Sequence, residues 1–152
     1  KTRIKHLGEN GEPDFILVFM GSNDIYKNVS IGTFNTSDPR NLEKNPELLV
    51  KTFADAYRTM IIRLQKEYKK AKIIAILPYY AVPYMWSAEG LAEYNEVIKE
   101  VCDYYGVKVV DARKCGITMQ NNSAYLIDEV HPNIKGMELL FEEVSKTFKE
   151  YD

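Results

Sequence analysis

The chain has 152 residues, of which 45% are hydrophobic and 28% charged, and its formal net charge is −2. That length fits one domain with a sizeable core. Charges of both signs are mixed along the chain, which argues against a nucleic-acid-binding surface, and no apolar stretch approaches the roughly 20 residues that a membrane-spanning helix needs.

Three short apolar runs predict buried strands, and helical patterns separate them. The runs are FILVFM at 15–20, KIIAIL at 72–77 and VKVVDA at 107–112. Their consecutive apolar residues are typical of a parallel sheet that is covered on both faces. Apolar spacing predicts helices over 46–70 and 91–105, the second ending at Gly106, and a last helix after His131. This alternation predicts a three-layer α/β/α sandwich with a parallel, flavodoxin-like sheet.

Polar and aromatic residues follow the predicted strands, where ligands bind in open α/β sheets. The segments are GSND at 21–24, PYYAVPYMW at 78–86 and DARKCG at 111–116. The second segment contains four aromatic residues, Tyr79, Tyr80, Tyr84 and Trp86. They either pack beneath a loop or form a wall for a sugar or acyl group. The polar stretch Tyr26–Lys44 is either a functional loop or a surface excursion.

Asp128 and His131 lie three residues apart in IDEVHPNIKG at 127–136, directly before the last predicted helix. One interpretation is structural: Pro132 takes the first helical position, and the two polar side chains cap free backbone N–H groups. The other is catalytic: a carboxylate orients an imidazole that acts as a base. The local sequence leaves both interpretations open.

Two segments together resemble the SGNH, or GDSL, family of serine esterases and lipases. PDFILVFMGSNDI at 13–25 is similar to the family's G-x-N-D block, and DEVHPNIKG at 128–136 is similar to its D-x-x-H-P block. Each tetrapeptide alone is a weak signal. Their order, with a strand before the first and a helix after the second, makes the pair more specific.

This resemblance implies ester hydrolysis by a Ser-His-Asp mechanism on a small-molecule substrate. It implies His131 as the general base and Asp128 as the carboxylate that orients it. Asn23 would donate a side-chain N–H to the oxyanion, and Gly21 would support the sharp turn at the end of the strand. A small acyl ester, such as an acetylated carbohydrate, is the expected substrate. The resemblance implies neither a cofactor nor a metal ion.

The nucleophile that the resemblance requires is not found in the chain. The serine block should precede G-x-N-D on an earlier strand, but the residues before Gly21 contain no serine. A strand–helix–strand unit needs about 30 residues, which do not fit there. Ser22 occupies the variable position of its block and is disfavoured. Since Lys1 is not an initiator methionine, we expect one domain over 1–152 that lacks its N-terminal strands, with the serine upstream.

The missing serine leaves two other interpretations open and leads to an expectation about partners. The chain could instead be a non-catalytic relative, or a flavodoxin-like module that binds a small ligand, although it has no glycine-rich phosphate loop. Without the upstream strand, the first strand should expose an edge and apolar surface, and the chain should associate with the missing segment or another chain. Cys102 and Cys115 lack metal-ligand spacing and are expected to be buried or reduced thiols. The sequence assigns no cellular location.

Overall fold

Three parallel strands form the centre of the molecule. The computed structural model describes residues 2–35, 50–79, 87–128 and 130–151. Within these ranges the sheet has the order β1–β2–β3, with β1 at Phe15–Phe19, β2 at Lys72–Leu77 and β3 at Lys108–Asp111. Leu17 pairs with Ile74, and Ile74 pairs with Lys108. The three predicted strands are confirmed, with β1 and β3 slightly shorter than predicted.

Six α-helices and one 3-10 helix lie in the described part of the chain. The α-helices are α1 (Thr2–His6), α2 (Ser22–Tyr26), α3 (Phe53–Glu67), α4 (Ala88–Tyr104), α5 (Asn122–Tyr125) and α6 (Ile134–Phe148), and the 3-10 helix is Ala112–Cys115. The prediction of one helix over 46–70 is wrong at its start, since the backbone of Thr52 is extended and its Oγ1 accepts a hydrogen bond from Asp55 N at 3.2 Å. Pro46 itself lies outside the described residues.

The predicted helix over 91–105 begins earlier than the apolar stripe indicates. Ser87 is its N-cap, with Oγ accepting a hydrogen bond from Gly90 N at 2.9 Å, so α4 starts at Ala88. Gly106 follows the helix with a φ of 65°, a conformation that glycine adopts without strain. Polar capping residues, rather than apolar spacing, therefore determine where α3 and α4 begin.

Helices cover both faces of the sheet, so the predicted three-layer α/β/α sandwich is confirmed. On one face, α3 and α4 pack against buried residues of β1 and β2, namely Ile16, Val18, Ile73, Ala75 and Leu77. On the other face, α6 contributes Leu140 and Val144 to a second core that includes Ile74, Ile76 and Val110. β2 is buried on both faces because it lies between these two cores.

Cover on both faces, which the apolar composition of the strands indicates, is absent for β1, and the exposed apolar surface expected of the first strand is present instead. Ile16 and Val18 are buried, but Phe15, Leu17 and Phe19 point to the opposite face and remain partly exposed. Helix α6, on that face, packs against β3 and the 3-10 helix. Since β1 is the strand at the other edge of the described sheet, much of its second face has no helix above it.

Both cysteines match their prediction. Cys102 and Cys115 are free and buried, and burial raises the pKa of the Cys102 thiol to about 12. In the described ranges no helix is both long enough and apolar enough to cross a membrane.

Candidate active site

The chain turns sharply directly after β1, at Gly21. This residue has a φ of 125°, which an L side chain rarely adopts. A Cβ built there would make only ordinary van der Waals contacts, at 3.5 Å from the ring of Phe53 and 3.6 Å from Pro78, so the φ angle is what favours glycine. Gly21 is thus positioned to end β1 and start α2 within a single turn.

Asn23 lies in the first turn of α2, beyond the carboxyl end of β1, and its side chain is exposed. The helix is short but anchored, since Ile25 is buried and the Tyr94 hydroxyl donates to the carbonyl of Val29, just beyond the helix. The backbone carbonyl of Asn23 accepts a hydrogen bond from Lys27 N at 3.0 Å. Asn23 therefore presents its side-chain amide to solvent from a fixed backbone.

Asp128 and His131 contact each other through their side chains. Nδ1 of His131 lies 2.8 Å from Oδ2 and 2.9 Å from Oδ1 of Asp128. The predicted contact through Nδ1 is therefore present. The His131 side chain is 73% exposed, so its Nε2 is accessible to a substrate or to another side chain. An imidazole with Nδ1 on a carboxylate and Nε2 free can accept a proton at Nε2.

Backbone contacts of the same carboxylate reinforce this geometry. Oδ1 of Asp128 accepts the backbone N–H of His131 at 2.9 Å and, at 3.4 Å, that of Val130. The hydrogen bond from the His131 backbone and the one from its ring hold the pKa of the Asp128 carboxyl below its usual range. The carboxylate therefore stays ionised at neutral pH, as a partner of a histidine base must.

The structural interpretation of this pair as a helix cap is wrong in its main point. Asn133 is the N-cap of α6, and its Oδ1 accepts a hydrogen bond from Gly136 N at 3.0 Å. Pro132 precedes the cap and is not the first helical residue. Asp128 does bind backbone N–H groups, but those of its own turn, and its remaining acceptor capacity faces the imidazole.

The turn that carries His131 lies at the carboxyl edge of the sheet. Tyr79 follows β2 and donates its hydroxyl to the carbonyl of Val130 at 2.9 Å. The ring of Tyr79 also lies 6.2 Å from that of Phe19, at the end of β1. Because Asn23 follows β1 at the same edge, the structure brings the predicted base and the predicted oxyanion donor to one edge of the sheet.

Several residues that the sequence singled out have other surroundings. Ser22 is the first residue of α2 and is partly buried. Two further serines, which lie outside the motifs, also have structural contacts: Ser87 caps α4, and the hydroxyl of Ser145 donates to Glu142 O at 2.9 Å. Tyr79 is buried beneath the turn that carries His131. Of the two interpretations of the aromatic cluster, packing beneath a loop is therefore the one that holds for this residue. Tyr80, Tyr84, Trp86 and residues 36–44 of the stretch Tyr26–Lys44 lie outside the described residues.

Sequence reasoning missed one residue that shapes the site, Asn133, and the contact that another, Tyr79, makes there. Asn133 is a favoured N-cap residue directly before an apolar stripe, and this signal was available. Tyr79 contacts Val130 across 51 positions of sequence, a separation at which no local pattern predicts a hydrogen bond. Among the described residues, no group of three or more His, Cys, Asp or Glu side chains could hold a metal ion.

Comparison with known proteins identifies a family. The model of the GDSL-like lipase/acylhydrolase family matches residues 3–139 of this chain. Among curated proteins, none matches the chain in sequence.

Solved structures share the fold at low sequence identity. A protein from Lactobacillus plantarum is 20% identical, with a TM-score of 0.78 over 99% of this chain and 73% of that one. A lipase/acylhydrolase from Enterococcus faecalis is 21% identical, with a TM-score of 0.58 over 91% of this chain and 63% of that one. An acetylxylan esterase from Geobacillus stearothermophilus is 18% identical, with a TM-score of 0.57 over 96% of this chain and 62% of that one. This chain therefore spans less than two thirds of the latter two proteins.

Proposed function

The chain belongs to the GDSL-like lipase/acylhydrolase family, and from that premise we propose that it carries the histidine and aspartate of a serine esterase. The observation that carries this proposal is the contact between the Asp128 carboxylate and Nδ1 of His131, at 2.8 Å, with the ring exposed beside the carboxyl edge of the sheet. The family makes the proposal one of ester hydrolysis rather than of ligand binding alone.

His131 is the general base of the proposed reaction. Its Nε2 takes the proton of a serine hydroxyl as the serine oxygen attacks the ester carbonyl. Collapse of the tetrahedral intermediate breaks the bond to the alcohol oxygen, which receives that proton, and leaves an acyl-enzyme. Water then repeats the sequence and releases the acid. Asp128 keeps the ring in the required tautomer and stabilises the imidazolium in both steps.

Asn23 is the proposed donor to the oxyanion. Its exposed side chain lies at the same edge of the sheet as His131. An amide N–H aimed at the developing negative charge contributes about 10²–10³ in rate in enzymes of this type. Gly21 supports this arrangement by permitting the turn that ends β1.

We propose that the serine is supplied by residues that precede this chain. The segment before Gly21 contains no serine, and Ser22 is partly buried on the short helix that presents Asn23. β1 lies at the edge of the described sheet, so another parallel strand could pair with it. Such a strand would end at the same edge as β1, beside Asn23 and His131.

An apolar surface next to β1 supports this proposal. On β1 and directly after it, Leu17, Phe19 and Met20 are 48%, 42% and 54% exposed. One flank of α6 contacts β1 through the rings of Phe148 and Phe15. The same flank carries three exposed apolar side chains, Ile134, Met137 and Phe141. These six residues form what we call the uncovered surface. Its occupant in the proposed enzyme is the upstream strand with the helix that follows it.

A small acyl ester is the proposed substrate, with an acetyl group on a carbohydrate as the favoured case. The similarity of the fold to an acetylxylan esterase supports this choice. Tyr79 is buried, so an aromatic wall for a sugar would need other residues of 78–86. Association with a membrane or a nucleic acid is no part of the proposal.

The test compares variants in the complete reading frame that contains residues 1–152, with p-nitrophenyl acetate as substrate. His131→Ala and Asp128→Asn should each lower kcat on the order of 10³–10⁴-fold. The matched control is His6→Ala, because His6 also contacts a carboxylate three residues away, that of Glu9, and neither residue belongs to the proposed site. That control should keep full activity.

The same assay on residues 1–152 alone should show no turnover, because no acyl-enzyme can form without the serine. Turnover by this fragment that disappears in Ser22→Ala would contradict the proposal and identify Ser22 as the nucleophile. A complete protein that is inactive, or whose activity survives His131→Ala, would instead support a non-catalytic relative.

A further inference from the structure

The turn with Asp128 and His131 is closed at its base by backbone contacts. Ile127 N donates to His131 O at 2.8 Å, and Leu126 forms an antiparallel bridge with Pro132. These contacts join the two ends of residues 126–132 to each other. They do not by themselves orient the tip of the turn relative to the sheet, where a substrate would bind.

A tyrosine that follows β2 contacts the tip of this turn. The hydroxyl of Tyr79 donates to the carbonyl oxygen of Val130 at 2.9 Å, and Val130 directly precedes His131. The ring of Tyr79 is 7% exposed and belongs to the core formed with Ile76 and Leu126. The contact therefore connects the tip of the turn to a buried residue just beyond the end of the central strand.

The peptide group between Val130 and His131 takes part in two hydrogen bonds, one through its carbonyl and one through its N–H. The carbonyl of Val130 and the N–H of His131 belong to the same planar unit and point in opposite directions. Tyr79 binds the carbonyl, and Oδ1 of Asp128 accepts the N–H at 2.9 Å. Rotation of this peptide plane would break both hydrogen bonds, so its orientation is held from two sides.

The hydroxyl is a donor throughout the working range of pH. Burial, followed by the nearby Cys115 and Asp128, raises the pKa of Tyr79 to about 12. The phenol therefore keeps its proton at neutral pH. The hydrogen bond is partly buried, and the partial exclusion of water makes it stronger than it would be in solvent.

We propose that Tyr79 is a positioning residue for His131: by holding the Val130 carbonyl, it keeps the His131 peptide and ring in register with Asp128. The expected effect of Tyr79 on activity rests on the function proposed above, whereas its effect on the geometry of the turn does not. The competing explanation is that a buried tyrosine merely satisfies its hydroxyl on a convenient carbonyl. That explanation predicts no effect on the turn when only the hydroxyl is removed.

The experiment compares Tyr79→Phe with the matched variant Tyr68→Phe in the complete reading frame. Tyr68 is also buried and also donates its hydroxyl to a distant backbone carbonyl, that of Ile4. Amide hydrogen exchange and the ¹⁵N shifts of the His131 ring are measured by NMR. In Tyr79→Phe, the amides of Ile127 and His131 should exchange about 5–10-fold faster, the factor that loss of one net hydrogen bond implies.

The same variant should also reduce the fraction of His131 that carries its proton on Nδ1, whereas Tyr68→Phe should change neither observable. Unchanged exchange in Tyr79→Phe would overturn the proposal. Equal acceleration across the amides of β2 would also overturn it, because the effect would then be a general loss of stability.

Activity separates this inference from the proposed function. If both hold, Tyr79→Phe should lower kcat by about the same 5–10-fold, with KM nearly unchanged, since the substrate-binding groups stay in place. If His131→Ala leaves activity intact while the NMR effects appear as expected, the proposed function fails and the positioning inference stands.

Discussion

The two faces of β1 differ in surroundings although both carry large apolar side chains. Ile16 and Val18 are buried beneath α3 and α4, whereas Phe15, Leu17 and Phe19 are partly exposed on the other face. β2, one position further into the sheet, is buried on both faces. The apolar character of a strand therefore does not reveal which of its faces the neighbouring helices cover.

Helix α6 shows the same contrast across its width. Leu140 and Val144 are buried against β2 and β3, while Phe141, on the flank toward β1, is 66% exposed. Exposed apolar side chains on neighbouring elements are a common feature of binding surfaces, and the upstream segment is the occupant we propose for them. The difference between the covered and uncovered sides can be tested by substitution.

The largest effect is expected from matched leucine truncations on the two sides. Leu77 is fully buried in the core under α3 and α4, and Leu17 is 48% exposed. Leu77→Ala should lower the free energy of unfolding by about 2–5 kcal/mol because it leaves a cavity. Leu17→Ala should cost about 1 kcal/mol or less, since water already reaches it. Urea unfolding followed by circular dichroism measures both, and equal losses would show that β1 is covered on both faces in solution.

A second effect concerns association of residues 1–152 when the upstream segment is absent. Leu17→Lys combined with Phe141→Lys places charge on the uncovered surface and should weaken self-association about 10–100-fold, on the scale of one or two lost apolar contacts. Ala92→Lys, at an exposed position of α4, is the control and should have no effect. Sedimentation equilibrium measures the dissociation constants. A chain that is monomeric at every concentration before substitution would contradict this prediction.

The fold could be predicted from the sequence because its strongest signals are local. The run at 72–77 begins with Lys72, is apolar from there to Leu77 and is followed by Pro78, and β2 spans the same residues. The start of α3 was mispredicted because the apolar spacing extends to residues before Thr52, although the hydroxyl of Thr52 caps the helix there. The composition of β1 indicated cover on both faces, because composition is the same whether or not a helix lies above the strand. Only the expectation of a missing upstream strand predicted its exposed face.

The site could be predicted only where its contacts are short in sequence. Asp128 and His131 are three residues apart, so one turn suffices to bring them together. The contact between Tyr79 and Val130 depends instead on the packing of β2 against the turn before α6. Tertiary structure alone creates such a contact, and the sequence offered only an aromatic cluster with two interpretations.

The N-caps of α4 and α6, which lie on opposite faces of the sheet, allow a comparison with a smaller expected effect on stability. Ser87 caps α4 with one hydrogen bond, from Gly90 N. Asn133 caps α6 with a bond from Gly136 N and also donates Nδ2 to Ala124 O at 2.9 Å. Ser87→Ala should cost about 1 kcal/mol, and Asn133→Ala about 2 kcal/mol because a second hydrogen bond is lost. Thermal unfolding measures both, and an equal cost would mean that the bond to Ala124 contributes nothing.

The smallest expected effect is the loss, in acid, of the hydrogen bonds between Asp128 and His131, with no change in the rest of the fold. The pKa of Asp128 is lowered in the folded chain by the backbone and ring hydrogen bonds of His131. A carboxyl whose folded pKa is depressed contributes stability above its unfolded pKa of about 3.9 and loses it as pH falls through the folded value. The hydrogen bonds to His131 should therefore persist from neutral pH to about pH 4 and weaken below it.

The amide of His131 reports this transition by its chemical shift and exchange rate, measured by NMR. Asp128→Asn removes the titrating group and should abolish the acid transition of that amide. The amides of Ile74 and Ile76, in the doubly covered β2, should remain protected over the same range, because both residues are buried between helices. A transition shared by β2 and the turn would indicate that acid unfolds the whole sheet. The exposed site and the covered core would then not respond to pH independently.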